Sequence, residues 1–324
     1  MRAVEIQEYG GPEVLRPAEV PVPEPGPGRV SIDVAYAGLN FADLKARAEG
    51  YRVPALPFRP GLEVSGRVRA VGAGVTGLAV GQEVAALTGG GAYAEVAVAE
   101  AALVFPLPSG TDLRTAAAIP TVVPTAYALV HAVGRLQPGE SVLVQSAAGG
   151  VGTVIGQLAK AAGAGAVYGV VSTPAKTAYA LGHGYDDVFV GDFEKAVRAA
   201  TGERGVDLAL DPVGGESLKA SLASLSVFGR LVSFGNASSA EPWGVGQQEL
   251  YPTGLSVAGF SILGLSRTAP ATLRTLAEQA FAKVADGTVT VPVTAEFPLA
   301  EAAEAHRLMG TRTSTGKLLL RVGG

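Results

Sequence analysis

The 324-residue chain is 48% hydrophobic and 17% charged, which is enough apolar material for a large core and enough length for two domains. Its formal net charge is −4 and it has no basic block, so its composition argues against nucleic acid and anionic membrane surfaces as partners. The absence of cysteine excludes disulfides, thiolate catalysis and cysteine-ligated zinc.

The first 118 residues are predicted to form a β-rich domain of short strands. Residues 21–28 are rich in proline and glycine, so they favour a turn over a helix or a central strand. Residues 30–37 alternate with period two, as a half-buried strand does, and 40–48 fit a short helix. Further strands separated by glycine indicate a barrel-like or sandwiched domain: 61–71, 83–87 and 93–98.

Residues 141–160 are predicted to form a strand, a glycine turn and a helix. Ala147, Gly149 and Gly152 occupy the three positions of G-x-G-x-x-G, with alanine in place of the first glycine. The first small residue permits a tight turn, the second lets a pyrophosphate approach the backbone, and the third lets helix and strand pack closely. The amino end of the helix then presents N–H groups to the anion. The stretch therefore predicts a dinucleotide-binding turn.

Helices and strands alternate after this turn, which predicts a doubly wound, mostly parallel sheet of the α/β class, a Rossmann domain. The apolar residues 255–263 are predicted to be its last strand. Helices are predicted at 272–286 and 300–309, and the strand 317–322 is expected to rejoin the first domain. The predicted domains are therefore 1–118 and 264–324, which form the catalytic domain, and 119–263, which binds the nucleotide.

The residues after the second Rossmann strand favour NADPH. A domain that selects NAD usually carries Asp or Glu about 20 residues beyond the glycines, where it meets the ribose 2′-hydroxyl. Here Ser172 and Thr173 offer hydroxyl donors, and Lys176 follows one helical turn later. The missing carboxylate and the nearby lysine fit a 2′-phosphate.

The sequence as a whole resembles the zinc-free quinone oxidoreductases of the medium-chain dehydrogenase/reductase superfamily. The resemblance covers essentially the whole chain and implies a β-rich, GroES-like catalytic domain, built from both chain ends, beside a central NADPH-binding Rossmann domain. It also implies that the nicotinamide lies in the cleft between them. The segments that carry it are 10–15, 38–43, 60–66, 147–152 and 232–236.

Zinc is not expected, because zinc alcohol dehydrogenases of this fold have Gly-His-Glu where this chain has Gly61-Leu62-Glu63. Leu62 cannot ligate a metal, and Glu63 is interpreted as a carboxylate that hydrogen-bonds backbone. The histidines lack the spacing of a ligand set: they are His131, His183 and His306.

The resemblance also implies a set of site residues. Asn40 and Tyr51 would face the cleft as hydrogen-bond donors to a developing oxyanion, with Thr125 near the nicotinamide. Asn40 and Tyr51 each keep a structural alternative, as a turn residue and as a packed loop residue. Asp43 is interpreted as a helix-start carboxylate. The cofactor contacts implied are Ala147, Gly149, Gly150, Val151, Gly152, Ser172, Lys176, Phe234, Gly235, Asn236, Phe260 and Arg312.

Two departures from the family pattern concern this site. Val123-Pro124-Thr125 stands where the family often has Gly-Leu-Thr, so the threonine is kept and the two residues before it differ. Gly191 stands where quinone reductases often carry a tyrosine near the 2′-phosphate, whereas Arg312 matches an arginine that reaches the same phosphate. The sequence therefore predicts a phosphate site with fewer contacts.

The function predicted from these features is NADPH-dependent reduction of a small quinone or conjugated enone without zinc. Two alternatives stay open: an enoyl reductase acting on thioester intermediates, and a nucleotide-binding sensor or structural protein with little catalysis. A homodimer is predicted through the edge strand 255–263, unless residues 243–251 cover that edge. The N-terminus has no signal-peptide pattern and no apolar run approaches ~20 residues, which predicts a cytoplasmic protein without a membrane span.

Overall fold

The computed structural model describes residues 1–108 and 111–323, and the chain divides into two compact units. Unit 1 comprises Met1–Thr121, Ser266–Thr275 and Val291–Gly324, and unit 2 comprises Val122–Leu265 and Leu276–Thr290. The sequence predicted an uninterrupted return of 264–324 to the first domain, whereas the structure assigns 276–290 to unit 2. One cause is visible at the end of that segment, where the Gln157 amide accepts from Thr290 N (2.8 Å) and donates to its carbonyl oxygen (2.9 Å).

The strands and helices are numbered here in chain order. The strands are β1 (Arg2–Glu5), β2 (Arg16–Glu19), β3 (Arg29–Gly38), β4 (Glu63–Val71), β5 (Glu83–Leu87), β6 (Val96–Glu100), β7 (Val104–Pro106), β8 (Ser141–Gln145), β9 (Ala166–Val171), β10 (Asp187–Val190), β11 (Val206–Asp211), β12 (Leu225–Ser233), β13 (Ser256–Gly259), β14 (Val293–Pro298) and β15 (Lys317–Arg321). The α-helices are α1 (Phe41–Glu49), α2 (Leu113–Ala116), α3 (Val122–Tyr127), α4 (Gly150–Ala161), α5 (Thr177–Leu181), α6 (Phe193–Ala200), α7 (Gly215–Ala223), α8 (Gln247–Leu250), α9 (Ile262–Thr268), α10 (Pro270–Ala285) and α11 (Ala302–Gly310).

Unit 1 is built on a seven-stranded sheet in which β14-β15-β3-β4-β5-β7 lie side by side and β6 also pairs with β3. The last strand of the chain, β15, runs antiparallel to β3, with Leu320 opposite Ala37. The predicted return of the C-terminal strand to the first domain is therefore confirmed. The alternating residues of β3 explain the packing, since Val30, Ile32 and Val34 enter one apolar core.

Unit 2 contains a six-stranded sheet in the order β10-β9-β8-β11-β12-β13, in which every pairing is parallel. Counted from β8, this is the order 3-2-1-4-5-6 of a doubly wound dinucleotide-binding sheet. The predicted fold class, which combines a Rossmann sheet and a β-rich domain, is confirmed. The switch in strand order lies between β8 and β11, and the glycine turn follows β8 directly.

The edge of this sheet differs from the expectation. Only Ser256–Gly259 of the predicted strand 255–263 is extended, and the chain enters α9 at Ile262. The neighbouring strand β12 runs from Leu225 to Ser233 and is therefore longer than β13. In the part of the chain that the structure describes, no helix has the length and apolarity needed to span a bilayer.

Candidate functional site

The glycine turn of unit 2 is shaped by close packing. After β8, Ser146 adopts a left-handed backbone conformation with φ of 57°, and the chain turns into α4. A Cβ at Gly152 would lie 2.3 Å from the carbonyl oxygen of Ser146 and 2.8 Å from the Cα of Ala147. Because both neighbours are backbone atoms, only glycine fits at this third position of the motif.

The alanine at the first motif position has a partner on the adjacent strand. Ala147 is buried, and its N–H donates to the carbonyl oxygen of Val170 at 3.0 Å. A Cβ at Gly169 would lie 2.8 Å from the Cβ of Ala147. The glycine on β9 therefore makes the room that Ala147 needs, which explains why the motif tolerates alanine here.

The amino end of α4 is suited to an anion. Gly149 is its N-cap residue, and glycine has no side chain that could cap this end of the helix. The N–H groups of Gly150 and Val151 belong to the first turn of the helix, where intrahelical acceptors are lacking. With the positive end of the helix dipole, they form a site that a pyrophosphate fits.

Tyr185 packs against the glycine turn and donates a hydrogen bond to it. Its ring lies where a Cβ at Gly156 or at Gly169 would stand, with distances of 2.6 and 2.9 Å to ring atoms. Its hydroxyl donates a 2.6 Å hydrogen bond to the carbonyl oxygen of Gly152, and burial raises its pKa well above the ordinary value. Sequence reasoning missed Tyr185, although glycines at 156 and 169 signal a large neighbour.

The predicted phosphate-binding residues follow β9. Ser172 is exposed directly after the strand, and Lys176 is half-buried at the end of a single 3₁₀ turn, Pro174–Lys176. The Lys176 N–H donates to the carbonyl oxygen of Thr173 at 3.2 Å. The Ser172 hydroxyl and the Lys176 ammonium, both predicted phosphate-binding groups, are thus carried by one short segment after β9.

The second predicted cofactor segment follows β12. The Phe234 N–H donates to the carbonyl oxygen of Asp211 at 2.9 Å, and the Asn236 amide donates to that of Ala240 at 2.7 Å. Gly235 lies between them and packs on Pro212, where a Cβ would stand 2.7 Å from its carbonyl oxygen. The segment is therefore held against the loop that follows β11.

Asp211, which the sequence analysis did not single out, organises that loop. Its buried carboxylate accepts from the N–H groups of Val213 (2.6 Å) and Gly214 (2.9 Å) and from the hydroxyls of Ser217 and Ser221. The signal available was an aspartate at the end of an apolar strand, followed by Pro-Val-Gly-Gly.

Three further predicted residues lie apart along the chain. Phe260 follows β13, and its N–H donates to the carbonyl oxygen of Ser233 at 3.0 Å. Thr125 is buried in α3, just before the π-helical segment Ala128–Val133. Arg312 belongs to unit 1, where it follows α11 in a left-handed conformation with φ of 58°.

In unit 1, Asn40 takes part in a buried polar cluster with Glu63 and Lys317. The Asn40 Nδ2 donates to Glu63 Oε1 at 2.8 Å, and the Lys317 ammonium donates to Asn40 Oδ1 at 3.1 Å. Lys317 and Glu63 form an ion pair of 2.6 Å, with side chains that are 3% and 0% exposed. Lys317 was missed from sequence, where its signal is a lysine that opens an apolar strand.

Every charged atom of this cluster has a partner. The Lys317 ammonium also donates to the carbonyl oxygen of Leu39 at 2.5 Å, and Glu63 Oε2 accepts from the Thr121 N–H at 2.7 Å. The interpretation of Glu63 as a carboxylate that hydrogen-bonds backbone is confirmed. The ion pair and these hydrogen bonds thus offset the desolvation cost, which an isolated buried charge would carry in full.

A second buried group surrounds Asp43, which caps the start of α1. Its carboxylate accepts from the N–H groups of Asn40 (2.9 Å) and Gly61 (3.1 Å) and from the Tyr93 hydroxyl (3.4 Å). Complete burial raises its pKa to about 7, against the lowering effect of the Asn40 N–H and of Lys317. The predicted helix-start role of Asp43 is confirmed.

His306 lies behind Tyr93. Its Nε2 is 3.0 Å from the Tyr93 hydroxyl, the two rings meet edge to face, and its Nδ1 has no partner among the described residues. Burial, assisted by the positive charge of Arg47, lowers the pKa of His306 to about 3. The imidazole is therefore neutral at physiological pH.

Asn40 and Tyr51 lie at opposite ends of α1. Asn40 is its N-cap residue and is 9% exposed, whereas Tyr51 follows its C-cap and is 40% exposed. The nine helical residues between them span roughly 14 Å along the axis. The Tyr51 hydroxyl accepts from the Arg52 guanidinium at 3.2 Å. Local structure therefore places the two predicted donors well apart.

The histidines are separated from one another by their surroundings. His131 packs on the ring of Tyr127 and His183 on that of Tyr179, with ring centroids 4.4 and 4.3 Å apart. Within residues 1–108 and 111–323, no three His, Asp or Glu side chains are grouped to hold a metal ion.

Comparison with protein families gives two matches along the chain. Residues 26–109 match the alcohol dehydrogenase GroES-like domain, and residues 150–279 match the zinc-binding dehydrogenase domain. The first lies in unit 1, and most of the second lies in unit 2. The first match therefore corresponds to the β-rich domain described above, and the second to the Rossmann domain.

Individual relatives agree with this. A quinone oxidoreductase of Pseudomonas aeruginosa strain PAO1 is 35% identical over 98% of this chain and 99% of its own length. A phthioceranic/hydroxyphthioceranic acid synthase of Mycobacterium tuberculosis strain H37Rv is 33% identical over 92% of this chain, which spans 14% of that protein. The solved Escherichia coli quinone oxidoreductase complexed with NADPH is 32% identical, with a TM-score of 0.92 over 99% of this chain and 100% of that one. The chain belongs to the quinone oxidoreductase family of the medium-chain dehydrogenase/reductase superfamily and is an oxidoreductase.

Proposed function

We propose that this protein uses NADPH to reduce a quinone or a conjugated enone by direct hydride transfer, without zinc. The observation that carries the proposal is the amino end of α4, where the N-cap residue Gly149 has no side chain and close packing allows only glycine at position 152. This is the construction that a dinucleotide pyrophosphate requires. The similarity to a quinone oxidoreductase complexed with NADPH supports the same cofactor here.

The choice of NADPH over NADH rests on Ser172 and Lys176. Both lie within five residues of the end of β9, and that segment has no carboxylate to repel a 2′-phosphate. Arg312 is proposed to assist. The nicotinamide supplies hydride when bound, and the protein contributes binding, orientation and exclusion of water.

At the substrate, Asn40 is the better supported donor to the oxygen on which charge develops. Its amide is fixed by Glu63 and Lys317, whereas Tyr51 is exposed and contacts Arg52. Preorganised donors are the ones that stabilise an oxyanion most. Thr125 is proposed to contact the nicotinamide.

Zinc independence is proposed because Leu62 stands beside Glu63 where a zinc enzyme of this fold has histidine. The Glu63 carboxylate is already bonded to Lys317, Asn40 and Thr121. Electrophilic quinones and enones accept hydride without a Lewis acid, so the proposed substrates and the residues agree.

The second candidate function is reduction of an enoyl thioester. It is favoured by the similarity of 92% of this chain to a segment of the phthioceranic/hydroxyphthioceranic acid synthase. An enoyl thioester is a weaker electrophile than a quinone, so it would depend more strongly on the Asn40 donor.

A homodimer is proposed through β13, which has β12 as its one neighbour in the sheet. Val257 on this strand and Phe228 and Tyr251 near it are exposed apolar side chains, and an exposed edge of this kind is normally covered. A monomer mass in light scattering at micromolar concentration would contradict the proposal. The cytoplasmic location stays a prediction of the sequence.

The deciding experiment is a substrate panel followed by the loss of NADPH absorbance. Quinones, conjugated enones and enoyl thioesters are compared at equal concentration, before and after treatment with a chelator. We expect the highest kcat/KM with quinones and no effect of the chelator. Faster turnover of the thioester would favour the second candidate, and no turnover of any substrate would contradict both.

A further inference from the structure

The side chain of Asn40 lies between a donor-only group and an acceptor-only group. Lys317 presents an ammonium to Oδ1 at 3.1 Å, and Glu63 presents a carboxylate oxygen to Nδ2 at 2.8 Å. An ammonium has no acceptor and a carboxylate has no donor hydrogen. Rotating the amide by 180° would place N–H against ammonium and carbonyl against carboxylate, so one orientation of Asn40 is fixed by chemistry.

We infer that Lys317, together with Glu63, is a positioning residue that keeps the Asn40 amide in this single orientation. One Nδ2–H is held by Glu63, so the group that the amide can offer to a substrate is its second Nδ2–H, a donor. A reversed amide would offer the carbonyl oxygen and repel a developing oxyanion. The inference rests on the proposed function for the role of that donor.

The cluster is rigid enough for this task. Lys317 also donates to the carbonyl oxygen of Leu39, and Glu63 accepts from the backbone of Thr121, so both charges are tied to main chain. Gly38 stands against the carboxylate, where a Cβ would lie 2.5 Å from Glu63 Oε1. Three segments that are distant in sequence thus converge on the residue that caps α1.

Replacing Lys317 alone would leave the Glu63 carboxylate buried without its cation, so the test uses the neutral double variant Lys317→Met with Glu63→Leu, which also removes the acceptor of the Asn40 Nδ2–H. The control is Leu320→Val, which removes a methylene from the core on the same strand, β15, and leaves the three cluster residues unchanged. The cluster variant and the control are first compared in thermal stability.

The first measurement does not depend on catalysis. Asn40 and Asn236 are the two asparagines of the chain, so labelling with ¹⁵N-asparagine yields two side-chain amides. In the parent protein we expect two distinct Asn40 amide protons, of which the one bonded to Glu63 exchanges slowly with water. In the neutral double variant this protection should fall at least tenfold, while Asn236, bonded to Ala240 and Ser238, stays unchanged. Unchanged protection of Asn40 would overturn the inference.

The second measurement is a double-mutant cycle on kcat/KM with a weakly electrophilic enone. Asn40→Ala and the neutral double variant should each lower it about tenfold or more, and their combination should cause no further loss, because one removes the donor and the other removes its fixed orientation. Leu320→Val should retain the parent rate. Additive losses would assign Lys317 a merely structural role.

Failure of the proposed function would look different. If no quinone and no enone supports the oxidation of NADPH by the parent protein, the proposed function fails. The amide measurement still decides the orientation of Asn40 in that case. If Asn40→Ala keeps the full rate with active enzyme, the positioning role is overturned although the reductase activity stands.

Discussion

The Tyr185 hydroxyl donates a 2.6 Å hydrogen bond to the carbonyl oxygen of Gly152, the third motif position of the glycine turn. Replacing Tyr185 by Phe leaves this oxygen without its donor, which should cost about 1 kcal/mol of stability. Because the bond fixes the first turn of α4, NADPH should also bind a few-fold more weakly. Fluorescence titration and calorimetry check the two effects.

Tyr168→Phe is the matched control, since Tyr168 lies in the same unit and its hydroxyl makes a long contact of 3.4 Å with Ala200. It should change NADPH affinity very little. Equal losses of affinity in the two variants would mean that Tyr185 acts through general stability rather than through the turn.

Gly152→Ala and Gly149→Ala should separate packing from cofactor access. The Cβ at 152 would lie 2.3 Å from backbone, whereas at 149 the nearest atom is 3.3 Å away. We expect Gly152→Ala to destabilise the protein by about 2 kcal/mol or more and Gly149→Ala by less than about 1 kcal/mol. Both should weaken NADPH binding, because position 149 borders the anion site. Similar thermal midpoints for the two variants would contradict the packing argument.

Lys176→Ala should weaken NADPH about tenfold or more and leave NADH nearly unaffected. A charged hydrogen bond of the kind proposed to the 2′-phosphate contributes roughly 1.5–3 kcal/mol. Dissociation constants for both cofactors are measured, with Lys195→Ala, whose side chain is 90% exposed, as the control. An equal loss for both cofactors would show that Lys176 is structural.

The buried His306 and Asp43 should give unit 1 opposing responses to pH. The folded pKa of His306, about 3, lies below the ordinary 6.5, so its contribution to stability is lost as pH falls from 6.5. The folded pKa of Asp43, about 7, lies above the ordinary 3.8, so its contribution is present at low pH and lost as pH rises through 7. Between pH 4 and 6.5 the two slopes oppose each other.

His306→Phe removes one of these slopes. The variant should be less stable than the parent at pH 7, and the difference should shrink by about 1–2 kcal/mol at pH 5. Calorimetric midpoints at both pH values measure this difference in stability. The polar neighbours whose contacts change in the variant are Tyr93 and Arg47. A difference that is constant with pH would show that the imidazole titrates normally.

Tyr51→Phe should lower kcat/KM for a quinone by only a small factor. Asn40→Ala should lower kcat/KM for an enone by a larger factor. The Asn40 amide is held by buried charges, whereas the exposed Tyr51 hydroxyl keeps water as an alternative partner. Steady-state kcat/KM values for both substrates and both variants provide the comparison. Full rates throughout would place substrate polarisation on other residues.

Local patterns predicted most of the fold. The glycine turn, the period-two alternation of β3 and the apolar run of β8 each lie within one short stretch, so they are legible in sequence. The start of β12 was not, because Phe228 has φ of 62° and the pairing with β11 shifts register there. Such a bulge breaks the alternation from which a strand is predicted.

The candidate site was predictable where it follows a motif and not where distant segments meet. Gly149, Gly152 and Lys176 were predicted as site residues from their spacing. Lys317 and Glu63 are separated by 254 positions, and neither stands in a pattern that points to the other. A buried ion pair is created by strand pairing, here β15 against β3 and β3 against β4, so its residues are recognised only in the fold.

The pairing of Glu63 with Lys317 also constrains the order in which the protein can be completed during synthesis. Unit 2 ends at Thr290, before the lysine emerges from the ribosome, so all of its strands are available early. The buried carboxylate of β4 must wait for β15, the last strand of the chain, to receive its cation. Without Lys317 the Glu63 carboxylate has no cation in unit 1, so burying it there carries the cost of an uncompensated charge.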